Sequence, residues 1–333
     1  MKKDSNKFKS LFHHKVFTLV CLWLAMVIIF SIWAAIRHTS FLQLSIFKNI
    51  LNAMVVPGFL TIGAGFLLIA GHLDLSQAAI GAFGSMVLAT AISAWNLPWY
   101  LAIILCLVLC VVLGVINGLM VVKLHFPSFI GTLAMASMVK GLMYMFSSLG
   151  NNGTAANINF VDPVTAFIGS GTIAGIPFCV ILVIIAFIVF GVILSKTSFG
   201  MKITFLGGNP TAATLAGINA ASLTILLFAF SGLSGGVGGI ISSARLSQGN
   251  LMALNTSQFV GLTAAILGGI SFGGGVGGMG GAFVGLLILN TFQIGMGIVG
   301  INPFWVNVFS GVLLLVALSL DFFSMRRQQK ALA

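Results

Sequence analysis

The side chains that could do chemistry in this chain are few, and carboxylates are the scarcest of them. The sequence contains no glutamate, and its aspartates are Asp4, Asp74, Asp162 and Asp321. Asp74 is the one carboxylate near a predicted helix start in the body of the chain, where it can cap the helix with help from Ser76 and the helix dipole. An ion-coupling carboxylate and a subunit contact are the alternatives. We therefore predict a structural turn or cap at Asp74 and Ser76.

A second set of polar residues lies within long apolar runs. Its amides could bond neighbouring helices, or several could converge on one polar path. Lys140 could reach the membrane interface by snorkelling, or it could face a cavity. Because a small polar solute needs hydrogen-bond partners that leucine cannot give, we expect Asn117, Asn290 and Gln293 to face a pathway. The candidate pathway residues are Asn52, Asn117, Thr132, Lys140, Asn290, Gln293 and Asn307.

Motifs that would make the chain an enzyme do not occur in the sequence. It has no G-x-x-x-x-G-K-[ST] phosphate loop, and the dipeptide Gly-Lys does not occur. It also shows no Ser/His/Asp set, no H-E-x-x-H motif and no Cys/His cluster. The cysteines lie in apolar runs at Cys21, Cys106, Cys110 and Cys179. We predict no enzyme activity, no metal site, no disulfide and no cofactor, so that any ATP would be bound by another subunit.

The composition predicts a protein whose solvent is lipid. Apolar residues make up 59% of the 333 positions, and charged residues only 6%. A run of about 20 apolar residues spans the roughly 30 Å hydrocarbon core as a helix. The apolar windows lie at 16–36, 51–70, 77–95, 99–122, 128–148, 176–194, 221–242, 255–271, 279–299 and 303–321. The predicted fold is therefore an all-α, polytopic membrane protein of about ten transmembrane helices.

The basic residues predict the orientation, because Lys and Arg are retained in the cytoplasm. With both termini inside, the cytoplasmic residues are Lys2, Lys3, Lys7, Lys9, Lys15, Lys123, Lys196, Lys202, Arg326, Arg327 and Lys330. The residues left outside are Arg37, Lys48 and Arg245, while Lys140 falls within a helix. Since the cations are spread over tails and short loops, the net charge of +11 indicates contact with membrane lipid and not with nucleic acid.

Domain organisation follows from these windows. Basic cytoplasmic tails at 1–15 and 323–333 flank a single transmembrane domain at 16–322. Within that domain, the loop 149–175 is predicted to lie outside and the loop 195–220 in the cytoplasm.

Two segments have a composition that predicts special local structure. Asn209 can cap a short helix whose first residue is Pro210, and Gly217 can end it, so we expect a rigid knob at the cytoplasmic surface. The glycine cluster at 268–281 predicts a tight or re-entrant turn that includes Gly269 and Gly273.

These motifs together resemble the permease subunits of bacterial ABC importers for ribose and other monosaccharides, over nearly the whole chain. The segments that carry the resemblance are Gly71–Ser76, Phe129–Met135, Lys140-Gly141, Gly207–Ile218, Leu267–Gly274 and Asn290. Three positions depart from the family pattern. His72 stands in place of Gly and Lys140 in place of Arg, and Pro210 occupies a position that is often acidic, which argues against an acidic contact to an ATPase there.

The resemblance implies an importer subunit of the bacterial inner membrane that works by alternating access. Its implied partners are two cytoplasmic ATP-binding subunits, a second permease copy or paralogue, and an extracytoplasmic sugar-binding protein that meets loops such as 149–175. The implied ATPase-coupling residues are Gly208, Asn209, Pro210, Thr211, Ala212, Ala213, Leu215 and Gly217. We expect that a bulky charge at Ala212 or Ala213 would obstruct the knob.

Two other classes of function stay open at this point. An autonomous secondary transporter would need an ion-coupling group, for which Asp74 is the available carboxylate, or coupling through backbone carbonyls. An intramembrane enzyme would need a catalytic constellation that the sequence does not show.

Overall fold

The computed structural model describes residues 15–302 and part of the stretch that follows. The further described positions are 304, 305, 308, 309, 311, 312, 315, 316, 319 and 322. The predicted tail 323–333, Asn307, and most of the tail 1–15 and of the predicted span 303–321 therefore lie outside the described residues.

The described chain consists mainly of helices. In chain order these are α1 (Lys15–Ile36), α2 (Leu44–Ala53), α3 (Val55–Ile69), α4 (Gln77–Ser93), α5 (Trp99–Lys123), α6 (Ser128–Leu149), α7 (Pro163–Ser170), α8 (Phe178–Lys196), α9 (Ser198–Gly208), α10 (Pro210–Leu215), α11 (Ala220–Leu246), α12 (Ser257–Leu267) and α13 (Met279–Ile298). The short strands are β1 (Ile158–Asn159), β2 (Thr172–Ile173), β3 (Ile176–Pro177) and β4 (Gln248–Gly249). β1 pairs antiparallel with β4, and β2 with β3. The prediction of an all-α polytopic fold is confirmed for this part of the chain.

The number of membrane spans differs from the prediction. Among the described residues, six helices are long and apolar enough to cross a membrane, namely α1, α5, α6, α8, α11 and α13. A seventh span results if α2 and α3, which meet at a bend of 44°, are counted as one. The predicted count of about ten transmembrane helices is therefore not reached within the described residues.

Two of the predicted spans fail because their helices are short. The window 77–95 contains α4, which has 17 residues, and the window 255–271 contains α12, which has 11. At 1.5 Å per residue these helices are about 25 Å and 16 Å long, less than the roughly 30 Å hydrocarbon core. Both are apolar because they are buried in protein. An apolar window can therefore mark contact with other helices as well as contact with lipid.

The bundle has two faces, which α8 connects. We call residues 150–177, before α8, the long-loop face and residues 197–219, after it, the short-helix face. β4 lies on the long-loop face because it pairs with β1. The end of α3 lies on the short-helix face, since Gly207 of α9 packs against the carbonyl group of Ile69 and against Gly275.

α11 is the central helix and packs against α3, α4 and α5. Its glycines permit this approach. A methyl group on Gly239 would overlap the carbonyl oxygen of Gly81 in α4, and one on Gly232 would overlap that of Cys110 in α5. Lipid provides no hydrophobic force that would hold helices together, so close backbone contact provides the packing energy instead. Close helix packing at glycines is therefore observed between α11 and both α4 and α5.

α4 and α12 begin at one point inside the bundle and run to opposite faces. The N–H group of Ala78, in the first turn of α4, donates to Oε1 of Gln258 in the first turn of α12 at 2.7 Å. From there α4 runs to the long-loop face, where Gly249 packs against Met86. α12 runs the other way, to Gly268, which packs against the first turn of α13. Each is thus a half-helix within the bundle.

The glycine-rich segment 268–278 forms a turn between α12 and α13. Gly269 has a φ of 89°, in the left-handed region that glycine adopts without strain. The N–H of Gly273 donates to Oγ of Ser271 at 3.3 Å. The N–H of Gly275 donates to the carbonyl oxygen of Ile69 at 2.8 Å, which fixes the turn to the end of α3.

Candidate functional site

The Asp74 carboxylate lies just before α4 and is almost completely buried. Its Oδ1 accepts from the N–H of Ser76 at 2.8 Å and from the Ser76 hydroxyl at 2.6 Å. Its Oδ2 accepts from the hydroxyl of Ser231 in α11 at 2.7 Å. Ser76 is the N-cap residue of α4, but its side chain makes no capping bond. Asp74 therefore satisfies a free amide at this helix start, and it also binds α11, which a local cap does not do.

Two glutamines extend this contact between elements. Gln258 accepts from Ala78, and its Nε2 donates to the backbone carbonyl of Asp74 at 3.0 Å, so one side chain joins the starts of α4 and α12. Gln77 donates from Nε2 to the hydroxyl of Ser234 in α11 at 2.8 Å. These bonds lie in the buried interior, where an unpaired polar group would be costly.

Two predicted pathway residues belong to the same group. Thr132 of α6 accepts from the N–H of Leu75 at 3.0 Å, and Asn117 of α5 donates from Nδ2 to Oγ of Ser76 at 2.7 Å. Both side chains are fully buried. We call this group the Asp74 cluster; its members are Asp74, Ser76, Gln77, Asn117, Thr132, Ser231, Ser234 and Gln258.

Asn52 and Asn290 make their hydrogen bonds outside this cluster, and Asn307 lies outside the described residues. Asn52 of α2 accepts from the guanidinium of Arg245 at 3.2 Å. Asn290 is buried and donates to the carbonyl of Leu286 in its own helix at 2.9 Å. Lys140 is exposed on α6, and Gln293 is half-buried on α13. Within the described residues, no group of His, Cys, Asp or Glu side chains could hold a metal ion.

The predicted surface helix is present as α10, with the expected start and end. Oδ1 of Asn209 accepts from the N–H of Ala212 at 2.9 Å, which caps the helix, and Pro210 is its first residue. Gly217 has a φ of 82° and ends it, in the role expected of a residue after a helix C-terminus. The helix Pro210–Leu215 is confirmed.

The outward face of α10 differs in one position from the sequence expectation. Leu215 is 86% exposed and Ala212 is also exposed, but Ala213 is only 3% exposed because it faces the rest of the chain. A bulky charge at Ala213 would therefore disturb this chain's own packing, and Ala212 is the position that tests a partner contact. Beside α10 lies a cavity of about 470 Å³ lined by Thr204, Phe205, Gly208, Asn209, Ala212, Ala213, Ala216 and Gly275.

Sequence reasoning missed Ser231, Ser234 and Gln258. Ser231 and Ser234 are three residues apart, a spacing that places both on one face of α11, so this signal was available from the sequence. Gln258 carries no such signal, because its partner Asp74 is 184 positions away.

A family model described as the permease component of branched-chain amino acid transport systems matches residues 46–318. The ribose import permease protein of Bacillus subtilis is 33% identical over 88% of this chain and 89% of its own length. The L-arabinose transport system permease protein of Escherichia coli is 35% identical over 85% of this chain and 83% of its own length. No solved structure shows a significant match.

Proposed function

The chain belongs to the family of permease components of branched-chain amino acid transport systems, and on that premise we propose that it is the permease subunit of an ATP-driven monosaccharide importer. Similarity to the ribose and arabinose permeases, over more than four fifths of each chain, carries this proposal. The family description names amino acids, but the ribose and arabinose permeases are similar to this chain along most of its length. A probable ABC transporter permease protein of Escherichia coli, 33% identical over 92% of this chain, supports the ATP-driven class.

The proposal assigns the energy source to other subunits. Two cytoplasmic ATP-binding subunits bind and hydrolyse ATP, because this sequence has no phosphate loop. A second permease copy or paralogue completes the membrane unit, and an extracytoplasmic binding protein delivers the sugar to the long-loop face. The short-helix face carries the exposed α10 and its cavity, which supports docking of the ATP-binding subunits at residues 208–217.

The experiment that tests this function is reconstitution with sugar-binding protein and ATP-binding subunits in proteoliposomes. ATP-dependent uptake of labelled ribose or arabinose is expected, with leucine as the competing substrate. Uptake of leucine without uptake of either sugar would contradict the monosaccharide assignment. Uptake driven by an ion gradient without the ATP-binding subunits would instead support a secondary transporter.

For the orientation, we propose a multi-pass protein of the bacterial inner membrane with one transmembrane domain at 16–322 and both termini in the cytoplasm. The distribution of Lys and Arg supports this. In a cysteine-free background, Lys202→Cys should react with an impermeant maleimide only after the cells are opened, and Thr154→Cys should react in intact cells. Labelling of Lys202→Cys in intact cells would show that the orientation is the opposite of the one proposed.

Among the predicted pathway residues, we propose that Gln293 and Lys140 contact substrate and that Asn117 stabilises the fold. Gln293 and Lys140 have side chains with solvent access in the single chain, which suits contact with substrate, whereas Asn117 is completely buried. Gln293→Leu should therefore lower sugar uptake about tenfold, because a hydrogen bond to substrate is lost. Asn117→Leu should lower the amount of folded protein, because Ser76 loses its buried donor. Normal uptake by Gln293→Leu would remove that residue from the pathway.

A further inference from the structure

Asp74 contacts the central helix α11 near its midpoint. Its partner Ser231 is eleven residues after Ala220 and fifteen before Leu246, the ends of the 27-residue α11. At 1.5 Å per residue, the carboxylate is about 16 Å from one end of this helix and 22 Å from the other. A carboxylate at that depth in a membrane protein is costly, so a role that requires it is expected.

The same point is where two helix N-termini meet. α4 and α12 both start there and run apart, so the positive ends of both helix dipoles face the Asp74 side. Negative charge is favourable at such a position, and three donors already point at the carboxylate. This arrangement makes Asp74 the common attachment of α4, α11 and α12.

α11 also connects this point to the short-helix face. The N–H of Ile218 donates to the carbonyl of Ala213 in α10 at 3.0 Å, and Asn219 caps α11 by accepting from the N–H of Ser222 at 3.0 Å. The link between α10 and α11 is thus four residues long and held by hydrogen bonds at both ends. A displacement of α10 therefore moves the start of α11.

We propose that Asp74 is a positioning residue of the transport cycle. Its carboxylate binds Ser231 of α11, and its backbone carbonyl binds Gln258 of α12. The starts of both half-helices are thereby fastened to α11, so that a movement of α10 reaches them together. This inference rests on the proposed function. Loss of the attachment lets α11 move without the half-helices, so ATP is hydrolysed with less sugar carried.

The test measures sugar imported per ATP hydrolysed in the reconstituted complex, with wild type, Ser231→Ala and Asp74→Asn. Ser231→Ala removes the hydroxyl that donates to the Asp74 carboxyl group, and we expect the ratio to fall about tenfold, in line with loss of a buried hydrogen bond. Asp74→Asn keeps the shape of the side chain but replaces one carboxyl oxygen by an amino group, which cannot accept a hydrogen bond, and it should lower the ratio as well. A structural defect alone would lower the amount of complex and leave the ratio unchanged.

The matched control is Ser85→Ala, because Ser85 is also a buried serine and its hydroxyl has no hydrogen-bond partner among the described residues. Its ratio should equal that of wild type. An unchanged ratio in Ser231→Ala, or an equal fall in Ser85→Ala, would overturn the positioning role. Failure of the wild-type complex to import sugar with ATP would instead overturn the proposed function.

Discussion

Ala212→Arg should abolish the association of this chain with its ATP-binding subunits and, with it, sugar uptake. Ala212 is exposed on α10 and lines the adjoining cavity, so the new side chain would stand in the way of a close-fitting partner. An ill-paired charge at an interface costs about 3 kcal/mol, which is roughly a hundredfold in affinity. Co-purification with tagged ATP-binding subunits and uptake in proteoliposomes would measure both effects.

The control for this variant is Ala155→Arg, the same substitution at an exposed position on the long-loop face. It should co-purify with the ATP-binding subunits as wild type does. Full uptake by Ala212→Arg would show that force does not pass through α10. Ala213→Arg is unsuited to this test because that residue is buried against the chain itself.

Gly239→Ala should destabilise the folded protein by about 3 kcal/mol, because overpacking at a backbone contact leaves no flexible side chain to yield. The added methyl group would overlap the carbonyl oxygen of Gly81 and force α4 and α11 apart. The thermal unfolding midpoint and the fraction of monodisperse protein in detergent should both fall.

Gly141→Ala is the matched control, because Gly141 is also inside a long helix but no atom lies within 4 Å of the added methyl group. It should be neutral, or stabilising by up to about 1 kcal/mol through helix propensity. Equal stability of the two variants would show that α4 and α11 are not held by close backbone contact.

The sequence predicted local structure well where the signal was local. The limits of α10 follow from Asn209, Pro210 and Gly217, which act within a few residues of themselves. The half-helices were misread because hydropathy measures the absence of polar groups and cannot distinguish lipid from protein as the neighbour. Almost every residue of α4 is buried.

The candidate site was predicted in part for the same reason. Asp74 and Ser76 were identified as a local turn, and their hydrogen bond joins residues that are two positions apart in the sequence. The contact of Asp74 with Ser231 joins positions 157 apart, and no local pattern encodes such a partner. A polar cluster assembled from distant segments becomes visible only when the helices are packed.

The half-helix α4 also has a consequence for biosynthesis. Gln77 at its start bonds Ser234, which is synthesised 157 residues later. At about 5–20 residues per second, the ribosome needs about 8–30 s to make that partner. During this interval α4 is too short to cross the bilayer alone, and Gln77 lacks its partner in α11 although α5 and α6 already contact the residues before it. The insertion machinery must therefore hold or shelter this segment until α11 emerges, and α4 takes its place after spans that follow it in the chain.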